Sequence, residues 1–154
     1  MGVDVGRVRQ RASFVREQIA ALTAIAVQTD VDTFAADRVR ASAARYLLQT
    51  AIEGLIDLAY HLSAKLAQRA PSNAHDAFLT MSRLGILEAD AMPRLHDMLR
   101  LRNRIVHGYL DVDERRVYGM ITGGEIDDIA HTLGRLENAA LGTVPVPPSP
   151  QDEA

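Results

Sequence analysis

The chain has 154 residues, a formal net charge of −3, 5% aromatic residues and neither cysteine nor tryptophan. That length suits one ordinary core rather than two domains, and an Ala- and Leu-rich, aromatic-poor composition suits helix better than sheet. The missing cysteine excludes disulfides, thiolate metal sites and cysteine nucleophiles, while the net charge indicates no global attraction to nucleic acid.

The first predicted element is a helix from about Val5 to Val27, on which Val8, Ala12, Val15, Ile19, Leu22 and Ala26 form one apolar stripe. Thr29 to Asp32 breaks the pattern and offers N-cap side chains. A long second helix is predicted from about Thr33 to Arg69, with Leu48, Ile52, Leu55, Ala59, Leu62 and Leu66 in a four-three rhythm. Leu47, Ile56 and Leu58 widen its apolar surface, so it must touch more than one neighbour as the central strut of a bundle. Pro71 is expected to end it. Glu53, Asp57 and His61 stand at successive i+4 steps along it. They read either as groups that orient an arginine or histidine of a site, or as a solvated face. Two carboxylates and one histidine on a single helix do not close a metal coordination shell.

Ser72-Asn73 caps a predicted short helix, about Ala74 to Leu84, with Phe78, Met81 and Leu84 inward and Gly85 at its C-terminal turn. His75 reads as an exposed loop or cap residue. Asp90 is expected to open the next helix, with Pro93 in its first turn, where proline costs little, and Gly108 at its end. Asp111 or Asp113 then caps a helix from about Glu114, with Val117, Met120 and Ile121 on its apolar side. Gly123-Gly124 forces a break, and Ile126, Ile129, Leu133 and Leu136 mark a last helix to about Leu141. The Pro-rich segment 142–154 reads as a disordered tail. The expectation is one all-α domain over 1–141: an antiparallel bundle of four to five helices with short loops. No apolar run approaches the ~20 residues that span a bilayer, Met1 to Arg11 is no signal peptide, and a cytoplasmic location follows.

The stretch Arg102 to Tyr109 carries the chemistry. Leu95, Met98 or Leu99, and Ile105 or Val106 form the apolar stripe of its helix, and steps along that stripe land on Arg102 and Tyr109. A guanidinium thus occupies a face suited to core or interface. Asn103 and His107 form the adjoining i, i+4 stripe, and all four side chains can converge on one side of the helix terminus. A planar charged fork binds phosphate and an imidazole moves protons. The same residues also read as a helix C-terminus with a dipole-favoured histidine and a glycine cap. Arg94, Arg100, Arg104, Arg115 and Arg116 crowd the same region, whereas His96 and His131 read as solvent or packing residues.

The order Arg-x4-His-x-Tyr at Arg102, His107 and Tyr109, with Asn103 after the arginine, resembles the motif of the HepT family within the HEPN superfamily. A second block, Arg45 to Leu62, resembles the same family, and the likeness spans roughly Val8 to Leu141. The resemblance implies a metal-independent RNase toxin with a HEPN-like fold, acting in a type VII-like toxin–antitoxin pair without a cofactor. Its implied partners are a second copy of the chain and an MntA-like nucleotidyltransferase antitoxin that adenylylates Tyr109. In such a site His107 acts as acid or base and Arg102 clamps the scissile phosphate. Asn103 orients the phosphate or the ring, and Tyr109 donates a hydrogen bond or stacks on a base. A homodimer would supply two histidines to one cleft. The alternative is a non-catalytic HEPN dimer that serves as a nucleotide- or RNA-binding adaptor; another is a chain whose main role is as substrate of its partner.

Overall fold

The computed structural model describes residues 2–108 and 112–142; all but the first residue of the tail expected at 142–154, together with Tyr109 and Asp111, lie outside them. Among the described residues there is no strand. The helices are α1 (Val5–Gln28), α2 (Val31–Ala36), α3 (Arg38–Leu66), α4 (Ala74–Arg83), α5 (Met92–His107), α6 (Glu114–Thr122) and α7 (Gly124–Ala140), with a 3-10 turn at Ala89–Ala91. The five longer helices build the expected all-α bundle. The short α2 and α6 close one end of it.

The pairing of α1 with α3 shows how sequence becomes packing. Val8, Ala12, Val15 and Leu22 are fully buried, which places the α1 stripe on the core. The contacts then run in opposite directions along the two helices. Arg11 faces Asp57 at 3.5 Å, and the Gln18 amide donates to the Thr50 hydroxyl at 2.7 Å. Between them Gly54 meets Val15 so closely that a Cβ at position 54 would lie 2.4 Å from Val15 Cγ2. The backbones approach there because glycine has no side chain. On the other faces of α3, Leu48, Ile52, Leu55, Leu58 and Leu62 are buried as well. The predicted strut therefore touches several neighbours, as its wide apolar surface requires.

Three boundaries differ from the sequence reading. The helix expected over 33–69 is broken at Asp37, which is extended (φ −99°).

 Asp37 itself has ψ 94° and Asp4, which opens α1, has ψ 95°; both are N-caps. The Asp37 carboxylate accepts from the Arg40 amide at 3.0 Å, and its own amide donates to the Phe34 carbonyl at 3.1 Å. The break lets Phe34 turn inward, where its ring lies 5.4 Å from that of Tyr118. At the other end α3 stops before Pro71 is reached, because Gln68 adopts φ +51°. Asp90 does not cap the motif helix. It sits in the 3-10 turn, and α5 starts at Met92, with Ala91 as an N-cap that makes no side-chain bond and with Pro93 in its first turn, as expected. Asn73, Asp113 and Gly123 mark the boundaries the sequence assigned to them, and Gly85 takes φ +75° after α4.

The contact at Gly54 yields a stability test. Gly54→Ala should gain about 1 kcal/mol in helix propensity but lose about 1–3 kcal/mol by overpacking against the stiff Val15 side chain. We expect a net loss in chemical denaturation, partly recovered in the Gly54→Ala/Val15→Ala double variant. A gain in stability from Gly54→Ala alone would contradict the close approach.

Candidate functional site

The site is built on the last turns of α5. Leu95, Met98, Leu99 and Ile105 are buried, so the predicted stripe does face the bundle. At about 100° per residue, Arg102 falls in the middle of that stripe. Its side chain is half-buried, and its Nε is shut off from water with no hydrogen-bond partner among the described residues. An unmet buried donor costs about 1–3 kcal/mol, and more when charged. The Arg45 Nε and the Ser63 hydroxyl are buried without a partner in the same way; an ordered water or an anion is an ordinary way to offset such a cost.

Asn103 and His107 are both exposed. The five-residue step from Arg102 to His107 turns about 140° around the helix. Half-buried Arg102 thus lies on the stripe that faces the bundle, and exposed His107 lies with Asn103 on the outer face of α5. His107 is the last residue of α5 and Gly108 its C-cap, with the Gly108 amide donating to the Arg104 carbonyl at 2.8 Å. A cation in this last turn is favoured by the helix dipole.

Beyond Gly108 the chain returns to the bundle at Val112, which is buried. The Arg45 guanidinium on α3 holds that return. It donates to the Val112 carbonyl at 3.4 Å and bonds the Glu114 carboxylate at the start of α6. The Asp113 carboxylate caps α6 by accepting from the Arg115 amide at 2.9 Å. Arg115 in turn reaches Asp32 at 2.8 Å, and the Tyr118 hydroxyl donates to the Thr29 carbonyl at 2.7 Å. Val112 to Glu114 are thus held to α3, and Gly108 caps α5. Arg45 was visible in the sequence only as part of the second resembling block, because its partners lie far along the chain.

Glu53 and Asp57 are engaged away from the motif. Glu53 accepts from the Gln49 amide at 3.2 Å, and Asp57 pairs with Arg11 on α1. His61 Nε2 accepts from the Asp4 backbone amide at 3.2 Å. None of the three bonds Arg102, Asn103 or His107 among the described residues. Burial lowers the His61 pKa below its usual 6.5, and the nearby charges of Arg7 and Lys65 lower it further against the opposing pull of Asp4. His75 and His96 are exposed and meet edge to face at 5.2 Å, and His131 bonds Glu88 at 3.2 Å. Among the described residues no group of three or more His, Asp or Glu side chains is placed to hold a metal ion. No helix among them is long and apolar enough to cross a membrane.

Comparison with known proteins agrees with this architecture. Residues 15–136 match a family model described as ribonuclease HepT-like. A tRNA nuclease HepT from Aphanizomenon flos-aquae is 30% identical over 76 residues, a match that covers 49% of this chain and 52% of that protein. The match thus spans about half the length of that curated relative. A tri-AMPylated Shewanella oneidensis HEPN toxin, solved in complex with an MNT antitoxin, superposes with a TM-score of 0.76 at 19% identity, over 87% of this chain and 97% of that one. YutE, a cytosolic protein from Bacillus subtilis, superposes with a TM-score of 0.75 at 19% identity, over 96% of both chains. At such identities the two structures show a shared fold.

The His61 contact predicts a pH effect. A backbone N–H can donate only to an unprotonated ring nitrogen, so the folded state favours neutral His61. The unfolded chain then binds the proton more readily, and stability falls as the pH drops through about 6.5 towards the lower folded value. His61→Gln keeps an acceptor but does not titrate. Between pH 7.5 and 5.5 the wild type should lose more thermal stability than His61→Gln, and parallel losses would contradict the assignment.

Proposed function

We propose, because this chain belongs to the ribonuclease HepT-like family, that it is a ribonuclease toxin that cleaves RNA without a metal ion. The observation that carries the reading is the Arg102 guanidinium, set on an apolar helix stripe with a buried, unpartnered Nε, beside an exposed histidine at the helix end. Neutral His107 takes the proton from a ribose 2′-hydroxyl. The 2′-oxygen attacks the adjacent phosphorus, and the 5′-oxygen leaves with a proton supplied by an imidazolium. Arg102 binds the phosphate oxygens and stabilises the charge that builds up on them. Asn103, exposed beside His107, orients the phosphate or the ring.

The divergence of Arg102 and His107 around α5 supports a homodimer as the working unit. Two chains related by a two-fold axis can bring Arg102 of one towards His107 of the other, which one helix does not do easily by itself. A second histidine in the shared cleft also provides separate groups for the base and acid steps.

Neutralisation is proposed to come from an MntA-like nucleotidyltransferase that transfers AMP to Tyr109. The Shewanella oneidensis toxin, AMPylated and bound to its antitoxin, supports this reading through its shared fold. The added phosphodiester would bring negative charge and a nucleoside's bulk to the place where substrate phosphate binds. Tyr109 lies two residues after His107 in the sequence, between Gly108 at the end of α5 and Val112, which Arg45 holds.

The purified, unmodified protein should cleave RNA in EDTA and leave 2′,3′-cyclic phosphate or 3′-phosphate ends. His107→Ala should lower the rate on the order of 10²–10⁴-fold and Arg102→Ala on the order of 10²–10³-fold, with helicity unchanged. Arg102→Lys should restore little, since a point charge does not reproduce the fork. An EDTA-sensitive activity that leaves 3′-hydroxyl ends would overturn the mechanism.

Co-expression with the cognate nucleotidyltransferase should add AMP to the chain in intact mass spectrometry. The addition should disappear in Tyr109→Phe. Mapping of the modification to Tyr118 would contradict the assignment.

A further inference from the structure

Beside the motif, a cleft of about 500 Å³ opens between α3, α5, α6 and α7. Its size falls within the ~300–1,000 Å³ typical of small-molecule sites. Met98, Leu101 and Met120, over the fully buried Ile52, give it an apolar floor, and no aromatic residue among the described ones lines it. Its rim is charged. Arg94 faces Asp128 at 3.7 Å, whereas Arg100, Arg104 and Arg116 have no carboxylate partner among the described residues. Asp97 and Glu125, also on the rim, are likewise outside any ion pair among those residues.

We propose that this cleft is a nucleotide subsite, which takes a base carrying an exocyclic amine on the apolar floor and its phosphate on the unpaired arginines. The chemistry of each part matches. Polarizable thioethers such as Met98 and Met120 pack well against flat aromatic rings. Unpaired guanidiniums bind phosphate oxygens. Carboxylates accept from exocyclic amines, as they do from cytosine N4. A purely anionic ligand would leave the floor unused and meet Asp97 and Glu125, and a purely apolar one would leave three guanidiniums on its edge.

The place of the cleft suggests what it does. Arg104 on its rim and His107 are three residues apart on α5, or about 4.5 Å along the axis. A strand whose scissile phosphate lies at His107 therefore reaches the cleft with a neighbouring nucleotide. Single-stranded RNA can splay an unstacked base into such a cavity. The inference rests on the ribonuclease reading for its biological role, but the binding it asserts is separate from cleavage.

The full chain labelled at its methionine methyl groups tests the subsite by NMR. The probes are AMP, UMP, inorganic phosphate and an adenine-containing oligodeoxynucleotide, which lacks the 2′-hydroxyl and is not cut. AMP and the oligodeoxynucleotide should both shift the Met98 and Met120 signals, while Met81, fully buried in the core, stays in place. UMP should bind more weakly than AMP, since uracil has no exocyclic amine. Arg104→Ala/Arg116→Ala should weaken AMP binding on the order of tenfold or more, with the Met81 signal unchanged as the sign of an intact core. Stronger response to the oligodeoxynucleotide than to AMP identifies a strand as the natural source of the nucleotide, and the reverse identifies a free nucleotide. Absence of Met98 and Met120 shifts with AMP and the oligodeoxynucleotide, equal binding of UMP, or equal shifts with inorganic phosphate would overturn the subsite. If the shifts are absent while RNA is still cleaved, the subsite alone fails; if they are present but RNA is not cut, the ribonuclease reading fails and the subsite stands.

Discussion

The long helix α3 must be covered on several faces at once, and this requirement arranges the rest of the bundle. Its buried residues include Leu48 and Ile52 on one side and Gly54, Leu58 and Leu62 on others. No single neighbour satisfies so broad an apolar surface. The α1 helix takes the face with Gly54, where the missing side chain lets Val15 come close. The face with Leu48 and Ile52 forms the floor of the cleft beside α5. Arg45, near the start of the same helix, reaches across to Val112 and Glu114. One helix therefore sets both the position of the motif helix and that of the chain from Val112 onward.

The motif is then defined by what its helix does with charge. Arg102 occupies a stripe whose other members are buried, and its Nε has lost water without gaining a partner among the described residues. His107 keeps its contact with solvent. The outer face of α5 adds Arg100 and Arg104, so the surface around the histidine is locally cationic on a chain whose net charge is −3. Local placement, rather than overall charge, would draw a polyanion to this region.

Much of this was legible in the sequence. The four-three rhythm located α1, most of α3 and the buried side of α5, and local chemistry located the caps at Asn73 and Asp113 and the break at Gly123. The break at Asp37 was not legible, because the gain from it lies in the distant contact between Phe34 and Tyr118. Asp57 and His61 illustrate the same limit: their i+4 spacing is visible, but Arg11 and Asp4 as partners are not. The divergence of Arg102 and His107 was implicit in their five-residue spacing. Proximity in sequence obscured it, since neighbours along a helix need not share a face. The family resemblance reached the motif residues themselves, and the structure adds that one chain does not align them.

That last point leads to the central claim, a site completed by two chains. The direct measurement is complementation between two inactive variants, Arg102→Ala and His107→Ala, unfolded together and refolded as a mixture. If Arg102 of one chain works with His107 of the other, each mixed dimer keeps one such arginine–histidine pair, with one of the cleft's two histidines. The mixture should then regain part of the RNA cleavage that neither variant shows alone. Cleavage by the mixture no greater than that of the separate variants, with mixed dimers confirmed by native mass spectrometry, would contradict the shared site.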